Sequence, residues 1–205
     1  LGDVNFGRTS TFRFDQNGRY GDLVSNIMLR LEIPNLTGYT VTKAGGGTAQ
    51  VGYTNGIGNA IIQEIILKVG GNVIDTHTSE YMDIWANFCI PAGKQAAYNR
   101  MIRKYPTQDP LNFQTGGNIY IPLFLWFCQN TNANVKDNVA LTFPLAGMRN
   151  AEIELTIKFR ALEDVIIYQA GANQTLTQAY PAVNFSIVSH SLLVDYITLE
   201  AEERL

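Results

Sequence analysis

The sequence predicts an all-β domain, an antiparallel jelly roll of about eight strands with short helical insertions, and three observations support this. Apolar and polar residues alternate from Ile153 to Phe159, which is the pattern of a strand with one buried face. Two β-rich runs are joined by Gly70-Gly71-Asn72, a sequence typical of a hairpin turn. Strand and helix patterns do not alternate along the chain, which argues against a parallel α/β fold.

The remaining strands are predicted where apolar or alternating runs end at turn-forming residues. In chain order, these runs are Thr11–Phe14, Leu23–Ile33, Ile65–Val69, Val73–Asp75, Ile119–Phe127, Val139–Phe143 and Val183–Leu199. The last run is long, and we expect it to contain a bend. Pro34, Pro144 and Pro181 fall at the ends of runs, where a missing N–H is tolerated. All the elements are assigned to one domain over residues 1–205.

Loops and turns are predicted where glycine and asparagine accumulate. The predicted loops are Lys43–Gly47, Gln129–Asn138 and Ala170–Gln178. A phosphate-binding loop lies between a strand and a helix and has a lysine or acidic partner downstream. Two glycine-rich runs lack this context: Gly45-Gly46-Gly47 and Gly56-Ile57-Gly58-Asn59. We therefore interpret both as turns.

Two helices are predicted as insertions between strands. The first covers Ser79–Asn87, with Ser79 as its capping residue, and the second covers Gly93–Lys104. Helical spacing would place Arg100, Arg103 and Lys104 on one face of the second helix. We interpret that face as solvated, and a contact with an acidic neighbouring subunit is the alternative.

Tryptophan and cysteine side chains are predicted to lie in the core. Trp85 should hold the first helix against the barrel, and Trp126 should lie inside a strand. Cys89 and Cys128 have apolar sequence neighbours, and no secretory signal accompanies them. We therefore expect two buried free thiols and not a disulfide, which indicates assembly in a reducing compartment.

Composition argues against several classes of function. Of the 205 residues, 46% are hydrophobic and 16% are charged, which argues against disorder. The net charge of −3 leaves no basic excess to neutralise phosphates, so direct nucleic-acid binding is not expected. The longest apolar run, Ile119–Cys128, is about half of a bilayer span and is interrupted by Pro122, so no transmembrane segment is expected.

The residue types that perform catalysis do not form a recognisable site. His77 and His190 are isolated from other ligands in the sequence, which argues against a metal site. Cys89, His77 and Asp83 could form a nucleophilic set only if the fold brought them together. We therefore predict no catalytic, cofactor-binding or metal-binding residues, no cofactor, and no enzyme activity.

One pair of carboxylates lies close together in the sequence, and paired carboxylates can perform acid–base chemistry. Glu152 and Glu154 are two residues apart on a predicted strand, so they should share its outward face. We interpret them as a solvated strand face and not as a hydrolytic pair.

Six segments, in order along nearly the whole chain, carry a resemblance to a known family. They are Tyr20–Pro34, Tyr53–Ile62, Val69–His77, Glu80–Trp85, Ile121–Ala146 and Val194–Arg204. Their motifs include YGDLV, NGIGNAII, GGNVIDTH, EYMDIW and VDYITLEAEER. Together they resemble the major capsid protein of nucleocytoplasmic large DNA viruses, the group that contains iridoviruses and phycodnaviruses. The segment Gln129–Asn134 departs from this pattern, because it replaces a shorter link in the family.

The resemblance implies a structural protein of an icosahedral capsid shell. The family has two jelly rolls in tandem, and this chain would be the N-terminal one, so the intact product should be roughly twice as long. Three such chains would form a pseudo-hexagonal capsomer. The implied partners are the other copies of a homotrimer, neighbouring capsomers and minor capsid proteins, in virions assembled in the host cytoplasm.

Two alternatives to a major capsid protein stay open. One is a minor capsid protein of the same fold. The other is a jelly-roll carbohydrate-binding module, which should expose aromatic and amide side chains on its loops. The Asn130–Asn138 segment offers amides but no aromatic residue, which weakens that alternative.

Overall fold

Antiparallel β-sheet dominates the computed structural model, which describes residues 4–14, 20–42, 47–106, 113–128, 141–148, 151–169, 176–178, 185–200 and 202. The strands are β1 Thr9–Arg13, β2 Leu23–Ile33, β3 Thr40–Thr42, β4 Thr48–Tyr53, β5 Ile62–Val69, β6 Asn72–Thr78, β7 Gly117–Pro122, β8 Phe143–Pro144, β9 Ile153–Phe159, β10 Ile166–Gln169, β11 Leu176–Gln178 and β12 Ser189–Ile197. The helices are α1 Ile57–Ala60, α2 Ser79–Cys89, α3 Ala92–Met101 and α4 Leu162–Val165. The predicted all-β fold class is confirmed, and the segments outnumber the expected eight because β3, β8, β10 and β11 are only two to four residues long.

The described strands form three sheets, and every pairing between these strands is antiparallel. One sheet has the order β1-β9-β5-β6, the second β11-β10-β4-β3 and the third β12-β2-β7, with β8 pairing with the first residues of β2. Strand β2 has the predicted bounds, and Ile27, Leu29, Leu31 and Ile33 along it are all at most 1% exposed. These alternate with half-buried residues, as a strand with one face in the core requires.

The core lies between the sheet of β2 and the sheet of β5 and β9. Val24 of β2, Leu67 of β5 and Ile153 of β9 line one small void, so the inner faces of the two sheets meet there. On β9, the apolar residues of the predicted alternation are all buried, which confirms it. On the outward side, Arg13 of β1 contacts both Glu152 at 3.0 Å and Glu154 at 3.1 Å, so this carboxylate pair belongs to a cross-strand ion-pair cluster.

The predicted hairpin at residues 70–72 is confirmed. Strands β5 and β6 pair across a turn formed by Gly70 and Gly71, with Val69 opposite Asn72. The φ angles of the two glycines are 55° and 82°, a left-handed conformation that side chains with a Cβ adopt only at a cost. The turn therefore depends on glycine at both positions.

The predicted strand Ile119–Phe127 is wrong beyond Pro122. Strand β7 ends at Pro122, which offers no N–H to continue the ladder, and residues 126–128 form a 3-10 turn. Trp126 therefore lies outside a strand and is 37% exposed, so the prediction that it is buried is also wrong. Trp85 is half-buried and stacks on Phe124 with ring centroids 4.2 Å apart, so it does pack helix α2 against the core.

Other boundaries shift for local reasons. The predicted run Val183–Leu199 is shorter in the structure, where β12 covers Ser189–Ile197. Its pairing with β2 shifts in register between Asp195 and Tyr196. Leu176–Gln178 forms a strand and not a loop, because it pairs with β10. The predicted loop Gln129–Asn138 and Pro181 lie outside the described residues, as do most of Lys43–Gly47, residues 139–140 and residues 183–184.

The predicted turn at residues 56–59 is instead the start of helix α1. Gly56 precedes this helix with a left-handed φ of 72°. A Cβ on Gly58 would lie 2.8 Å from the Cα of Ile102, so glycine allows the backbone of α1 to contact the chain just after α3. This close approach fixes α1 and α3 against each other.

Strand β6 passes directly into helix α2 at a buried histidine. His77 is 6% exposed, its Nε2 lies 3.1 Å from the Asp75 carboxylate, and its ring is 4.4 Å from that of Tyr81. Its Nδ1 is buried without a hydrogen-bond partner. Burial lowers the pKa of His77 below its usual 6.5, and Asp75 opposes this effect. Strand β6 therefore extends past the predicted end at Asp75 and includes His77.

Replacement of Gly58 by alanine should destabilise the fold. The added Cβ would overlap the backbone of Ile102, and overpacking of this kind costs about 1–3 kcal/mol. Urea unfolding of Gly58→Ala measures the loss. Gly93→Ala is the matched control, because a Cβ there meets nothing within 4 Å in a helix, and it should be neutral or stabilising by at most about 1 kcal/mol. Equal stabilities for the two variants would contradict the close packing of α1.

Acidification should destabilise the protein through His77. Because its pKa is lowered in the folded state, the unfolded state binds more protons, and stability falls as pH falls from the usual pKa of 6.5 towards the lowered one. Above the usual pKa of 6.5, the stabilising contribution of the neutral His77 side chain is fully present. We expect His77→Gln to flatten the dependence of unfolding free energy on pH in this range. Parallel slopes for the wild-type protein and the variant would refute this expectation.

Candidate assembly surface

Helix α2 is fixed to the domain at its N-terminal end. The hydroxyl of Thr78, and not the predicted Ser79, caps the helix by accepting a hydrogen bond from the Tyr81 backbone at 3.4 Å. Arg160, which follows β9, donates hydrogen bonds to Ser79 at 2.8 Å and to Glu80 at 2.7 Å. The predicted helix is otherwise confirmed, and it ends at Cys89, two residues later than expected.

A buried polar group joins helices α1, α2 and α3. The Asn59 side chain is 1% exposed and donates to Asp83 at 2.8 Å and to the Tyr98 hydroxyl at 2.9 Å. The Tyr98 hydroxyl can in turn donate to Asn59 at 3.2 Å, and burial raises the pKa of Tyr98 to about 12. These residues were not identified from the sequence, although an asparagine between apolar residues 57 and 61 is a weak signal of such a contact.

The outward side of α2 exposes large apolar side chains. Ser79, Met82 and Ala86 face the core, whereas Tyr81, Ile84 and Phe88 are 37%, 57% and 85% exposed. The spacing of the exposed three places them on one side of the helix. We call Tyr81, Ile84 and Phe88 the α2 stripe. Contiguous exposed apolar side chains of this kind are typical of an interaction surface.

The basic cluster predicted on α3 is divided by the end of the helix. Helix α3 ends at Met101, and Arg103 has a left-handed φ of 55°. Its guanidinium donates hydrogen bonds to the carbonyl oxygens of Thr115 and Gly116. Arg103 therefore ties the end of the helical insertion to the start of β7, and the prediction that it shares one solvated helical face with its neighbours is wrong.

A groove of about 420 Å³ lies beside the α2 stripe, between the end of α2 and helix α3. Its lining residues are Asn87, Ile90, Ala92, Gln95, Asn99 and Lys104. We call it the α2–α3 groove. It combines apolar and amide groups with one lysine, a lining that suits an aromatic side chain.

A second cleft, of about 300 Å³, is lined by aromatic residues and by Arg103. Tyr53, at its floor, donates a hydrogen bond to the Pro34 carbonyl at 2.8 Å, and burial raises the pKa of its hydroxyl. Arg103 is held by backbone carbonyls, and Tyr105 packs on Phe113 with ring centroids 5.3 Å apart. The Tyr53 hydroxyl and the Arg103 guanidinium are therefore already bonded to backbone carbonyls.

The residues considered for catalysis are held apart by other contacts. Asp83 accepts a hydrogen bond from Asn59, and His77 pairs with Asp75. Cys89 lies at the other end of α2 from His77, about 15 Å along the axis at the usual rise per residue. Within the described residues, no three His, Cys, Asp or Glu side chains gather as metal ligands would.

The two cysteines differ from each other in exposure. Both are free thiols, but Cys89 is exposed, so its predicted burial is wrong. It follows Phe88 at the end of the helix, on the solvent side. Cys128 is half-buried, and burial raises its thiol pKa to about 12, which keeps it protonated.

A membrane crossing was not expected from the sequence. Among the helices of the described segments, none combines the length and the apolar character that spanning a bilayer demands.

Comparison with known proteins identifies the family. The family model described as "Major capsid protein N-terminus" matches residues 1–200. "Capsid protein 1" of Acanthamoeba polyphaga mimivirus is 23% identical over 99% of this chain and 33% of its own length. The major capsid protein of Pyramimonas orientalis virus is 28% identical over 99% of this chain and 43% of its own length.

Solved structures show the same fold. The quasi-atomic model of the PBCV-1 virus capsid matches 99% of this chain and 41% of its own chain, with a TM-score of 0.69 and 22% identity. The Faustovirus major capsid protein matches with a TM-score of 0.66 and 12% identity, over 53% of its own chain. The chain thus spans about a third to a half of the proteins that it matches. The resemblance noted in the sequence is confirmed, and this chain belongs to the major capsid protein family, of which it matches the N-terminal region.

Proposed function

We propose that this chain is the N-terminal jelly roll of a subunit that builds the icosahedral capsid shell of a large double-stranded DNA virus. The observation that carries the proposal is the family match over residues 1–200. The matched relatives are named as capsid proteins, which are structural proteins and not enzymes. One continuous cluster of buried side chains, from Val4 to Ile187, supports a single domain over the chain.

The subunit forms a homotrimer with a six-cornered outline. This follows if each intact chain contributes two barrels, because three chains then place six barrels in a ring. The lengths of the relatives support a second barrel, since this chain spans 33% to 43% of two of them. Hexagonal units tile a plane, so one building block covers large flat faces.

The surface of the domain suits burial against neighbouring subunits. Charged residues make up only 16% of the chain, and the α2 stripe exposes Phe88 almost completely. The partners are other copies of the subunit, adjacent capsomers and minor capsid proteins. Direct genome binding is not part of the proposal, because the net charge is −3.

The free thiols fit assembly in the host cytoplasm. Cys89 is exposed to solvent, where an oxidising compartment would act on it. Burial raises the thiol pKa of Cys128 to about 12, and the Nε2 of His77 is paired with Asp75. These contacts are those of a structural role.

Mass spectrometry of purified particles and of the released subunit tests the proposal. We expect the most abundant coat polypeptide to contain this sequence and to have about twice the 22.7 kDa of this chain, as a two-domain subunit would. Native mass spectrometry of the released subunit should give three copies.

Three results would count against the proposal. A mature subunit of 22.7 kDa would contradict the double barrel. A few copies per particle would indicate a minor capsid protein instead. Absence from particles, with binding on a glycan array, would favour the carbohydrate-binding alternative.

A further inference from the structure

A projecting side chain and a cavity lie next to each other at the end of helix α2. Phe88 is 85% exposed, the largest exposure of any large apolar side chain among the described residues. Its sequence neighbours Asn87 and Ile90 line the α2–α3 groove. At about 420 Å³, the groove has room for an aromatic side chain. A surface with a projection beside a matching recess is complementary to itself across a two-fold axis.

The charged residues of the two helices leave this contact free. On α2, Glu80 is paired with Arg160 and Asp83 accepts a hydrogen bond from Asn59, both within one chain. Lys104 is the one charged residue among those that line the α2–α3 groove. An aromatic side chain that entered the groove would therefore bury no acidic group.

We propose that a second copy of this chain docks on the α2 stripe through a two-fold contact, in which Phe88 of each copy enters the α2–α3 groove of the other. This inference rests on the proposed function and identifies one contact between subunits in the proposed shell. A ring of three subunits is closed by head-to-tail contacts between two different surfaces, whereas a two-fold contact uses the same surface twice. The α2 contact therefore joins neighbouring capsomers and does not hold the trimer together.

The small size of the surface agrees with this placement. Three apolar side chains and a groove lined by six residues are well below the 20 to 30 residues, about 800 Å² on each partner, of a stable interface. A single contact is therefore too weak to join two free capsomers. In a shell, each capsomer meets several neighbours at once, so weak contacts add up to a stable lattice.

Cys89 provides a direct test, because it follows Phe88, is exposed and would lie near the two-fold axis. Assembled particles of the intact subunit are treated with a short bismaleimide, and cross-linked peptides are identified by mass spectrometry. A link from Cys89 to Cys89 can only join two copies, since each chain has one such residue. We expect this link in particles and not in dissociated capsomers.

The variant Phe88→Ser tests the role of the aromatic side chain. It should lower the yield of the Cys89 link and of assembled shells by about tenfold, the effect expected for loss of a central aromatic anchor. It should leave released trimers intact. Val188→Ser, which changes another exposed apolar residue, is the matched control and should keep both yields.

The possible outcomes separate the two proposals. Shells that form without a Cys89 link, or a link that persists in Phe88→Ser, would overturn the two-fold contact and leave the capsid function standing. Loss of the trimer in Phe88→Ser would move the contact inside the capsomer and also overturn it. If the wild-type intact subunit forms neither trimers nor shells, the proposed function fails, and this inference fails with it.

Discussion

Strand β2 hydrogen-bonds to three other strands, and the rest of the sheet structure depends on its register. It pairs with β12 on one side and with β7 and β8 on the other, and its inner residues from Ile27 to Ile33 are almost fully buried. A slip of one residue would turn this entire apolar row towards solvent. Because Val24 meets Leu67 and Ile153 of the facing sheet, the register of β2 also aligns the two sheets with each other.

The helical insertion is positioned by polar contacts made over short distances. Asn59 joins α1 to α2 and α3, and Arg103 joins the end of the insertion to the chain before β7. A buried amide that loses such partners costs more than the hydrogen bonds contribute, so the three helices favour one arrangement. The rigid scaffold therefore fixes where the α2 stripe and the α2–α3 groove lie relative to each other.

The sequence predicted those features that depend on local pattern and missed those that depend on distant contacts. The bounds of β2, the alternation of β9 and the glycine hairpin follow from residue spacing alone. The exposure of Trp126 and Cys89 does not, because it depends on which surface another element covers. Helix α2 has apolar residues on two sides, which suggests a buried helix, and only the structure shows that one side faces solvent. The family resemblance predicted the functional class, but it did not predict the exposed α2 stripe.

The exposed α2 stripe also affects subunits that have not yet joined a shell. Before any contact forms, Phe88 and Ile84 face water, and the net charge of −3 on these 205 residues gives this part of the subunit little mutual repulsion. Non-specific clustering of such surfaces rises steeply with concentration, whereas ordered growth of a lattice consumes free subunits. If the chain builds a shell as proposed, the rate at which the lattice takes up subunits sets how many exposed stripes stay in solution, and this rate has to keep pace with translation.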